Sequence, residues 1–336
     1  MDSWYIGNVK IENRVVSAPL AGISNPAFRV LLKEFNPGLI YTEMTSDKAL
    51  IYKNKKTMKM LEVKEKERPV SLQLFGNNPD EMAKAAVIVQ QNSLCDIIDI
   101  NMGCPMVKVV RQGSGSALLQ NPDNAYNIVK AVKEVSKLPV TIKMRVGWDL
   151  EHINAIEFAQ LMEKAGADCI AVHGRTRSQL YNGASNWEII KQVKESVNIP
   201  VIGNGDINDV YTAKKRLEES GVDAIMIGRG MLGNPWLITD TVQYLQDGSR
   251  IEEPTIHERF IIERKQAKAF IQDYGENQGM RMMRSHACWY IQGLSHNKPV
   301  KDRVCRITTY KELDDILTAY EEALGSGDFS FLKKED

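Results

Sequence analysis

Eight short apolar runs recur along the first two thirds of the chain, and their number and spacing constrain the fold more than any other feature. Each run is almost continuous in apolar residues, which is typical of parallel strands buried on both faces. The runs are Val15–Pro19, Leu39–Glu43, Val70–Leu74, Ile97–Asn101, Val140–Met144, Cys169–His173, Pro200–Asn204 and Ala224–Gly228.

Amphipathic segments separate most of these runs and predict helices. Asn78-Pro79 and Asn121-Pro122 each have the asparagine and early proline that are typical of a helix start. Apolar residues recur at helical spacing over Ala155–Ala165, Trp187–Val197 and Asp209–Ser220. Eight strand–helix repeats in about 230 residues predict an α/β fold, the (β/α)8 TIM barrel. A doubly wound open sheet is the alternative.

The pattern changes after Trp236. Asp247-Gly248-Ser249 is a plausible linker, and from Thr255 onward the sequence predicts helices only. Thr309-Tyr310-Lys311-Glu312 is a capping box, and its helix is expected to end at Gly325. We therefore expect a barrel domain over residues 1–245 and a small helical domain over residues 250–336.

Composition excludes several classes of protein. Lysine and arginine together number 43 and acidic residues also number 43, which is unlike the basic excess of a non-specific nucleic-acid binder. The five cysteines form no C-x-x-C pair, so we expect no metal site, no disulfide framework and a reducing, cytoplasmic location. The start of the chain has no signal-peptide pattern, and no apolar run approaches the ~18–20 residues of a membrane span.

Polar residues close nearly all of the predicted strands. In a barrel these strand ends converge on one face, where the active site lies. One polar residue at a strand end is usually the start of a solvated loop, but eight together favour a site. They are Pro19, Glu43, Gln73, Asn101 with Cys104, Lys143 with Arg145, His173 with Arg175, Asn204 with Asp206, and Gly228 with Arg229.

The last two strand ends are glycine-rich, in Gly203–Asp206 and Gly228–Gly230. Glycines let backbone N–H groups approach a phosphate, and the loops after strands seven and eight often bind one in this fold. The alternative is that these glycines only form tight turns. Arg229, directly after Gly228, favours the phosphate interpretation.

Four cationic or imidazole side chains lie at the ends of strands five and six. A buried Lys143 needs an anion or a ligand acceptor. His173 is either a ligand-binding group or a hydrogen-bonded core residue. Arg145 and Arg175 are expected at the rim, where they would bind a polyanionic substrate unless they form surface ion pairs.

The turn Asn101–Pro105 presents a thiol, that of Cys104, at the exit of the fourth strand. Together with the other strand-end motifs, this turn resembles those of the tRNA-dihydrouridine synthases, most closely the bacterial B-type branch. The matching tracts, in order, are Ala18–Gly22, Gln73–Gly76, Asp99–Pro105, Gly113–Leu119, Lys143–Arg145, His173–Thr176, Asn204–Ile207 and Ile227–Gly230.

The C-terminal part is similar to the family's helical tRNA-binding domain through Met283-Arg284-Ser285-His286 and Trp289-Tyr290. Ser285 stands where the family more usually has a lysine. Residues 259–306 also hold ten lysines and arginines against four acidic residues. The resemblance therefore implies tRNA as the partner, with Arg284 and His286 among its contacts.

The resemblance implies reduction of specific tRNA uridines to 5,6-dihydrouridine, with bound FMN and with NADPH as reductant. The residues implied to bind the flavin are Pro19, Leu20, Ala21, Gln73, Lys143, His173, Asn204, Gly205, Asp206, Gly228 and Arg229. Those implied to bind substrate or tRNA are Asn101, Arg145, Arg175, Arg284 and His286.

Reducing the C5–C6 bond of uracil requires a hydride and a proton. Reduced flavin would supply the hydride. A free thiol has a pKa of about 8.5, so Cys104 would be mostly protonated and able to protonate C5. Two alternatives are a flavin barrel that acts on a free pyrimidine, like dihydroorotate or dihydropyrimidine dehydrogenases, and a non-catalytic RNA-binding barrel.

Overall fold

Eight parallel strands form a ring in the computed structural model, which describes residues 3–332. Neighbours in the sheet follow the order β3-β11-β10-β9-β8-β7-β6-β4, and a parallel bridge from Val16 to Leu39 completes the ring between β3 and β4. The predicted barrel is confirmed and the open sheet is wrong. The strands are β1 (Trp4–Ile6), β2 (Val9–Ile11), β3 (Val15–Ser17), β4 (Ile40–Tyr41), β5 (Thr45–Ser46), β6 (Val70–Phe75), β7 (Ile97–Met102), β8 (Val140–Arg145), β9 (Cys169–His173), β10 (Val201–Asn204) and β11 (Ala224–Ile227).

Helices follow most of the barrel strands, and short 3₁₀ turns occupy Glu65–Glu67, Gly115–Gln120, Arg229–Met231 and Ser330–Leu332. Asn78 and Asn121 cap helices with their side chains, as predicted. The helices are α1 (Pro26–Lys33), α2 (Asp47–Ile51), α3 (Lys55–Lys59), α4 (Pro79–Asn92), α5 (Val107–Val110), α6 (Pro122–Val135), α7 (Ala155–Lys164), α8 (Trp187–Ser196), α9 (Val210–Ser220), α10 (Trp236–Asp247), α11 (Ile256–Tyr274), α12 (Glu276–Tyr290), α13 (Asn297–Val304) and α14 (Tyr310–Ser326).

The antiparallel hairpin of β1 and β2 covers the amino end of the barrel. Its residues Ile6 and Ile11 are fully buried in one apolar cluster with interior barrel residues such as Ala224 and Met226. This hairpin was not predicted from the sequence, because each of its strands has only three residues. With the amino end covered, the carboxyl ends of the strands remain as the face for a site.

A repeated aspartate fixes the register of the strands at that amino end. Asp96, Asp168 and Asp223 each stand one residue before a strand, and each carboxylate accepts a hydrogen bond from the first N–H of the preceding strand. The three acceptor–donor distances are 2.8, 2.7 and 2.7 Å. These carboxylates therefore tie β6 to β7, β8 to β9 and β10 to β11 at the amino end of the barrel.

Helices α11–α14 form the core of a second compact unit. This unit comprises Met231–Leu237 and the described residues from Arg250 onward, while the barrel unit comprises the described residues up to Gly230 and Ile238–Ser249. Met231–Leu237 was expected in the barrel domain but belongs to the helical unit. There Gly233 packs tightly on the backbone of Trp289, and an added Cβ would lie only 2.3 Å from the Trp289 carbonyl carbon.

One further prediction about the helical unit needs correction. The capping box at Thr309 is present, but α14 continues past Gly325 to Ser326 and Gly327 takes the left-handed capping conformation. In the same unit, Cys288 and Cys305 lie close together, with their Sγ atoms 3.2 Å apart. Within residues 3–332, none of the helices has the length and apolar character that a bilayer crossing requires.

Candidate active site

Strand register places the polar strand-end residues side by side at the carboxyl end of the barrel. Asn101 on β7 pairs with Lys143 on β8, and His173 on β9 pairs with Asn204 on β10. The Lys143 ammonium then reaches past β9 and donates to Asn204 Oδ1 at 3.1 Å. The predicted convergence of these side chains is therefore present, and it defines the candidate active site.

A chain of buried hydrogen bonds runs along one side of this site. Gln73 Nε2 donates to Asp99 Oδ2 at 2.7 Å, and Asn101 Nδ2 donates to Gln73 Oε1 at 2.7 Å. Thr141 Oγ1 donates to the other carboxylate oxygen, Asp99 Oδ1, at 2.6 Å. All four side chains belong to buried residues, so the chain is shielded from competition by water.

The same Asn101 side chain holds the backbone of the cysteine loop. Asn101 Oδ1 accepts hydrogen bonds from the N–H groups of Gly103 at 3.2 Å and Cys104 at 2.9 Å. On the far side of the loop, the Cys104 carbonyl accepts from the backbone N–H and the hydroxyl of Ser116, at 3.1 and 2.9 Å. Cys104 is thus held from both sides at the exit of β7.

Burial raises the pKa of the Cys104 thiol above its ordinary value, although the nearby Arg145 and Lys143 charges act in the opposite direction. Desolvation penalises the thiolate, and here it outweighs the two cations. The thiol is therefore neutral at physiological pH. It is suited to donate a proton and poorly suited to act as a thiolate nucleophile.

Burial acts on Lys143 and His173 as well. It lowers the pKa of Lys143 to about 8, with a further lowering from Arg145. It lowers the pKa of His173 to about 2, with smaller contributions from Lys143 and three arginines. Arg175 Nη1 lies 3.4 Å from His173 Nε2, and because a guanidinium only donates, this contact favours the tautomer with its proton on Nδ1. His173 is thus a neutral imidazole.

Arg145 and Arg175 are not the rim residues that the sequence predicts, since each is only 3% exposed. The Arg145 guanidinium donates to the carbonyls of Gly103, Thr176 and Leu180 at 2.7–2.9 Å and so ties the cysteine loop to the loop after β9. Arg175 Nη2 donates to both carboxylate oxygens of Asp206 at 2.8 Å. Backbone carbonyls and a carboxylate, both remote in sequence, compensate the desolvation of these cations.

The two glycine-rich loops lie beside this ion pair. Gly205 has φ +134° and Asp206 has φ +54°, so the chain turns sharply after β10. Arg229 is half exposed, with its guanidinium 3.7 Å from Asp206 and stacked 4.5 Å over the exposed ring of Tyr181. A Cβ added at Gly228 would meet only Ala18, at 3.6 Å, so Gly228 borders open space.

The turn after β3 contributes the remaining predicted residues, Pro19, Leu20 and Ala21. Pro19 and Leu20 are half-buried and Ala21 is exposed. The Ser24 hydroxyl accepts the Leu20 N–H at 3.1 Å, and the Glu43 carboxylate accepts the Gly22 N–H at 2.6 Å. The turn is therefore fixed to the end of β4, next to the loop that follows β11.

Sequence reasoning missed Asp99, Thr141 and Ser185. Asp99 and Thr141 stand two residues before Asn101 and Lys143, on the same face of their strands, so the period-two pattern carried a signal for both. Ser185 donates its backbone N–H to Asp206 at 2.8 Å from a loop with no motif. No signal in the sequence pointed to Ser185.

The predicted tRNA contacts in the helical unit have different surroundings. His286 is 2% exposed, with its Nδ1 2.6 Å from Gln266 Nε2 and its ring against Phe270 and Trp289. The prediction that His286 contacts RNA is therefore corrected to a packing role, since burial withholds it from a polyanion. Arg284 is half-buried and donates to the Ile307 carbonyl at 2.9 Å.

Comparison with known proteins identifies the family. A family model described as dihydrouridine synthase matches residues 16–324, which is most of the chain. The chain belongs to the dihydrouridine synthase family. It is accordingly a flavin-dependent oxidoreductase, as that family is.

Among the curated relatives of this synthase, tRNA-dihydrouridine synthase B of Yersinia pestis is 39% identical over 320 residues, covering 95% of this chain and 99% of the relative. A probable tRNA-dihydrouridine synthase of Rickettsia conorii is 40% identical over 300 residues, covering 89% and 90%. Among solved structures, morphinone reductase in complex with tetrahydroNAD has a TM-score of 0.53 at 16% identity, covering 77% of this chain and 93% of that one. The last similarity shows the barrel fold alone.

Proposed function

We propose that this synthase reduces the C5–C6 double bond of specific uridines in tRNA to 5,6-dihydrouridine, using bound FMN, with NADPH as reductant and Cys104 as the proton donor. The observation that carries the proposal is the position of Cys104, which Asn101 holds at the barrel mouth while Asn101 itself pairs with Lys143 on the next strand. Burial raises the pKa of the Cys104 thiol, which favours the protonated form that an acid needs. The names of the curated relatives support tRNA as the substrate. We place the reaction in the cytoplasm.

The residues at the barrel mouth fit FMN. An isoalloxazine ring presents carbonyl oxygens and ring nitrogens, and this site offers N–H donors: the Lys143 ammonium uses one of its three protons on Asn204, and Gln73 Nε2 uses one of its two on Asp99. Open space at Gly228 and the half-exposed Arg229 suit a phosphate group. When bound and reduced, FMN supplies the hydride that uracil C6 receives.

The protein's own residues complete the reduction. As C6 receives a hydride, negative charge develops on C5 and the adjacent carbonyl oxygen of the uracil. Lys143 and His173 are the donors that would stabilise this charge, since burial reduces the competition of water for both side chains. The Sγ–H bond of Cys104 then breaks, and its proton passes to C5 while the sulfur keeps the electron pair.

A uridine in folded tRNA must leave its stack to reach this site, at a cost of a few kcal/mol. We propose that residues 250–336, with their basic stretch over 259–306, hold the tRNA while residues 1–245 bind the flavin. In this arrangement the interior arginines Arg145 and Arg175 support the loops of the pocket, and phosphate contacts fall to exposed cations such as Arg281 and Lys298.

Position-resolved mapping of dihydrouridine in tRNA, with and without the gene, tests the proposal. We expect specific positions to lose the modification and to regain it when the purified protein, FMN and NADPH are supplied. Unchanged dihydrouridine at every position in the deletion, together with no activity on its tRNA in vitro, would count against it. Turnover of free pyrimidines without RNA would favour the small-molecule alternative.

Cys104→Ala separates flavin binding from proton donation. The thiol is a proton donor in the proposal, so this variant is expected to stay yellow and to lose most turnover. Cys95→Ala is the matched control, because Cys95 is buried near the amino end of the barrel. Full activity in Cys104→Ala would remove this residue from the acid role.

A further inference from the structure

We propose that Asp99, anchored by Thr141, is a positioning residue that fixes the Gln73 and Asn101 amides and, through them, the backbone of Cys104. This inference rests on the proposed function, because it assigns the network to the proton donor of that reaction. Asp99 itself is fully buried and therefore acts through its neighbours, with no contact to substrate.

The direction of each hydrogen bond fixes the orientation of the next amide. A carboxylate only accepts, so Asp99 Oδ2 holds the NH₂ end of the Gln73 amide. That choice turns Gln73 Oε1 toward Asn101, where it accepts from Asn101 Nδ2. Asn101 then has its oxygen free to accept from the Gly103 and Cys104 N–H groups. Every amide in the series has one orientation that satisfies all of its neighbours.

A reversed Gln73 amide shows why the side chain at position 99 must be a hydrogen-bond acceptor. If Gln73 turned its oxygen toward the side chain at position 99, its NH₂ would face the NH₂ of Asn101. Asn101 would then have to turn as well, and its NH₂ would face the two backbone N–H groups of the cysteine loop. Two donors face each other in either case, and buried groups tolerate this poorly.

Thr141 completes the anchor from β8. Its hydroxyl donates to Asp99 Oδ1, which leaves Oδ2 directed at Gln73. Burial raises the pKa of Asp99 to about 6, against the lowering by the hydrogen bonds from Thr141 and Gln73 and by the charge of Lys143, two residues further on the same strand; at neutral pH the carboxylate is still the main form. Tyr41 and Cys169 are the other titratable groups that face Asp99, and burial keeps both neutral. Asp99 is thus an anion whose local counter-charge is Lys143.

The test compares Asp99→Asn with Asp99→Leu. The asparagine of the first variant would still offer an oxygen to Gln73 Nε2, while its NH₂ donates to a Thr141 hydroxyl that is free to rotate. Leucine offers no acceptor. We expect kcat to fall roughly 10- to 100-fold in Asp99→Leu, with KM for tRNA unchanged, because small displacements of reacting groups have effects of this size. Asp99→Asn is expected to recover most of that loss.

A second measurement reports the thiol without turnover. The rate of alkylation of Cys104 by iodoacetamide, quantified on the peptide that contains residue 104, is expected to rise about threefold or more in Asp99→Leu, since a loosened loop exposes the thiol. Asp99→Asn should stay close to the unmodified protein. Glu163→Leu is the control: it removes a carboxylate on the outer helix α7 that accepts the N–H groups of Asn198 and Ile199, and it should lower stability while leaving kcat and Cys104 alkylation unchanged.

Thr141→Val and Thr141→Ser provide a milder pair if Asp99→Leu does not fold. Valine removes the hydroxyl that anchors Asp99 and should move kcat and alkylation in the same directions as leucine at position 99, whereas serine keeps the hydroxyl. The inference would be overturned if kcat and the Cys104 alkylation rate were the same for the two Asp99 variants and for the two Thr141 variants. It would also be overturned if Asp99→Asn were as impaired as Asp99→Leu. If the unmodified protein makes no dihydrouridine while alkylation still separates the variants, the proposed function fails and the positioning role stands.

Discussion

Gly115 packs so closely against Cys104 that a side chain at position 115 would collide with it, and Gly115→Ala tests whether this close packing positions the cysteine loop. Gly115 has φ +62°, a left-handed conformation that costs a non-glycine residue about 1–2 kcal/mol. A Cβ added there would also lie 2.9 Å from the Cys104 carbonyl oxygen, 2.9 Å from Val109 Cγ1 and 3.1 Å from Cys104 Cβ. The substitution therefore combines backbone strain with a collision.

Gly221→Ala separates these two costs. Gly221 has φ +66°, almost the same conformation, but an added Cβ would meet nothing within 4 Å. It should lose only the backbone cost, about 1–2 kcal/mol. Gly115→Ala should lose an additional 1–3 kcal/mol or so from overpacking, because the atom in its way is a backbone oxygen held by two hydrogen bonds from Ser116.

Urea unfolding of both variants measures the stability part, and kcat for dihydrouridine formation measures the position of the thiol. We expect kcat to fall at least about tenfold in Gly115→Ala, because relief of the collision has to move the Cys104 loop. Gly221→Ala should keep the unmodified rate. Equal losses of unfolding free energy in the two variants, with native kcat in Gly115→Ala, would refute the reasoning.

Three other predictions follow from the same site. Turnover should fall in two steps as pH rises: first near pH 8, where the Lys143 ammonium loses its proton, and then through the pKa of Cys104, because the neutral thiol proposed to donate the proton exists only below that pKa. Burial raises the pKa of Cys104, so the second step should lie above the ordinary value of about 8.5, and the pH profile of Cys104 alkylation should show the midpoint of that second step. Arg145→Lys should lower the free energy of unfolding by about 2–4 kcal/mol and reduce kcat, because a single ammonium cannot donate to all three backbone carbonyls that the planar guanidinium reaches. A loss of unfolding free energy no larger than that of Gly221→Ala would contradict this. Asp206→Asn should cost about 1–3 kcal/mol, less than a fully buried pair because the Asp206 side chain is 29% exposed, and urea unfolding that matches the unmodified protein would show that Arg175 needs no carboxylate.

The barrel was predictable because its strands are buried on both faces, which leaves a continuous apolar run in the sequence for each of them. The hairpin β1–β2 and the two-residue β5 were missed, since runs of two or three residues carry too little periodicity to detect. The predicted end of α14 was also wrong, because both Gly325 and Gly327 could end the helix. Only the backbone conformation shows that Gly327 does.

The candidate site was predictable in its membership and less so in its contacts. Register brings Asn101, Lys143, His173 and Asn204 together at the strand ends, as the barrel requires. Arg145 was expected at the rim because the sequence does not show which backbone carbonyls lie near a guanidinium. Its acceptors Thr176 and Leu180 are 31 and 35 residues away, and the partners of Asp99 are 26 and 42 residues away. Contacts of that kind depend on tertiary structure.

Burial sets the protonation states of Cys104 and His173 in the direction that the proposed reduction of uracil needs. It raises the pKa of Cys104, which keeps the proton on the sulfur, and it lowers the pKa of His173, which keeps the imidazole neutral. It also brings the pKa of Lys143 to about 8, so this ammonium holds its proton less tightly than an exposed lysine does. Two cations beside a thiol ordinarily favour the thiolate. Here the buried position of the loop outweighs them, and that position depends on the amides of Gln73 and Asn101. Loosening the loop should therefore expose the thiol and lower its pKa, which turns a proton donor into a nucleophile.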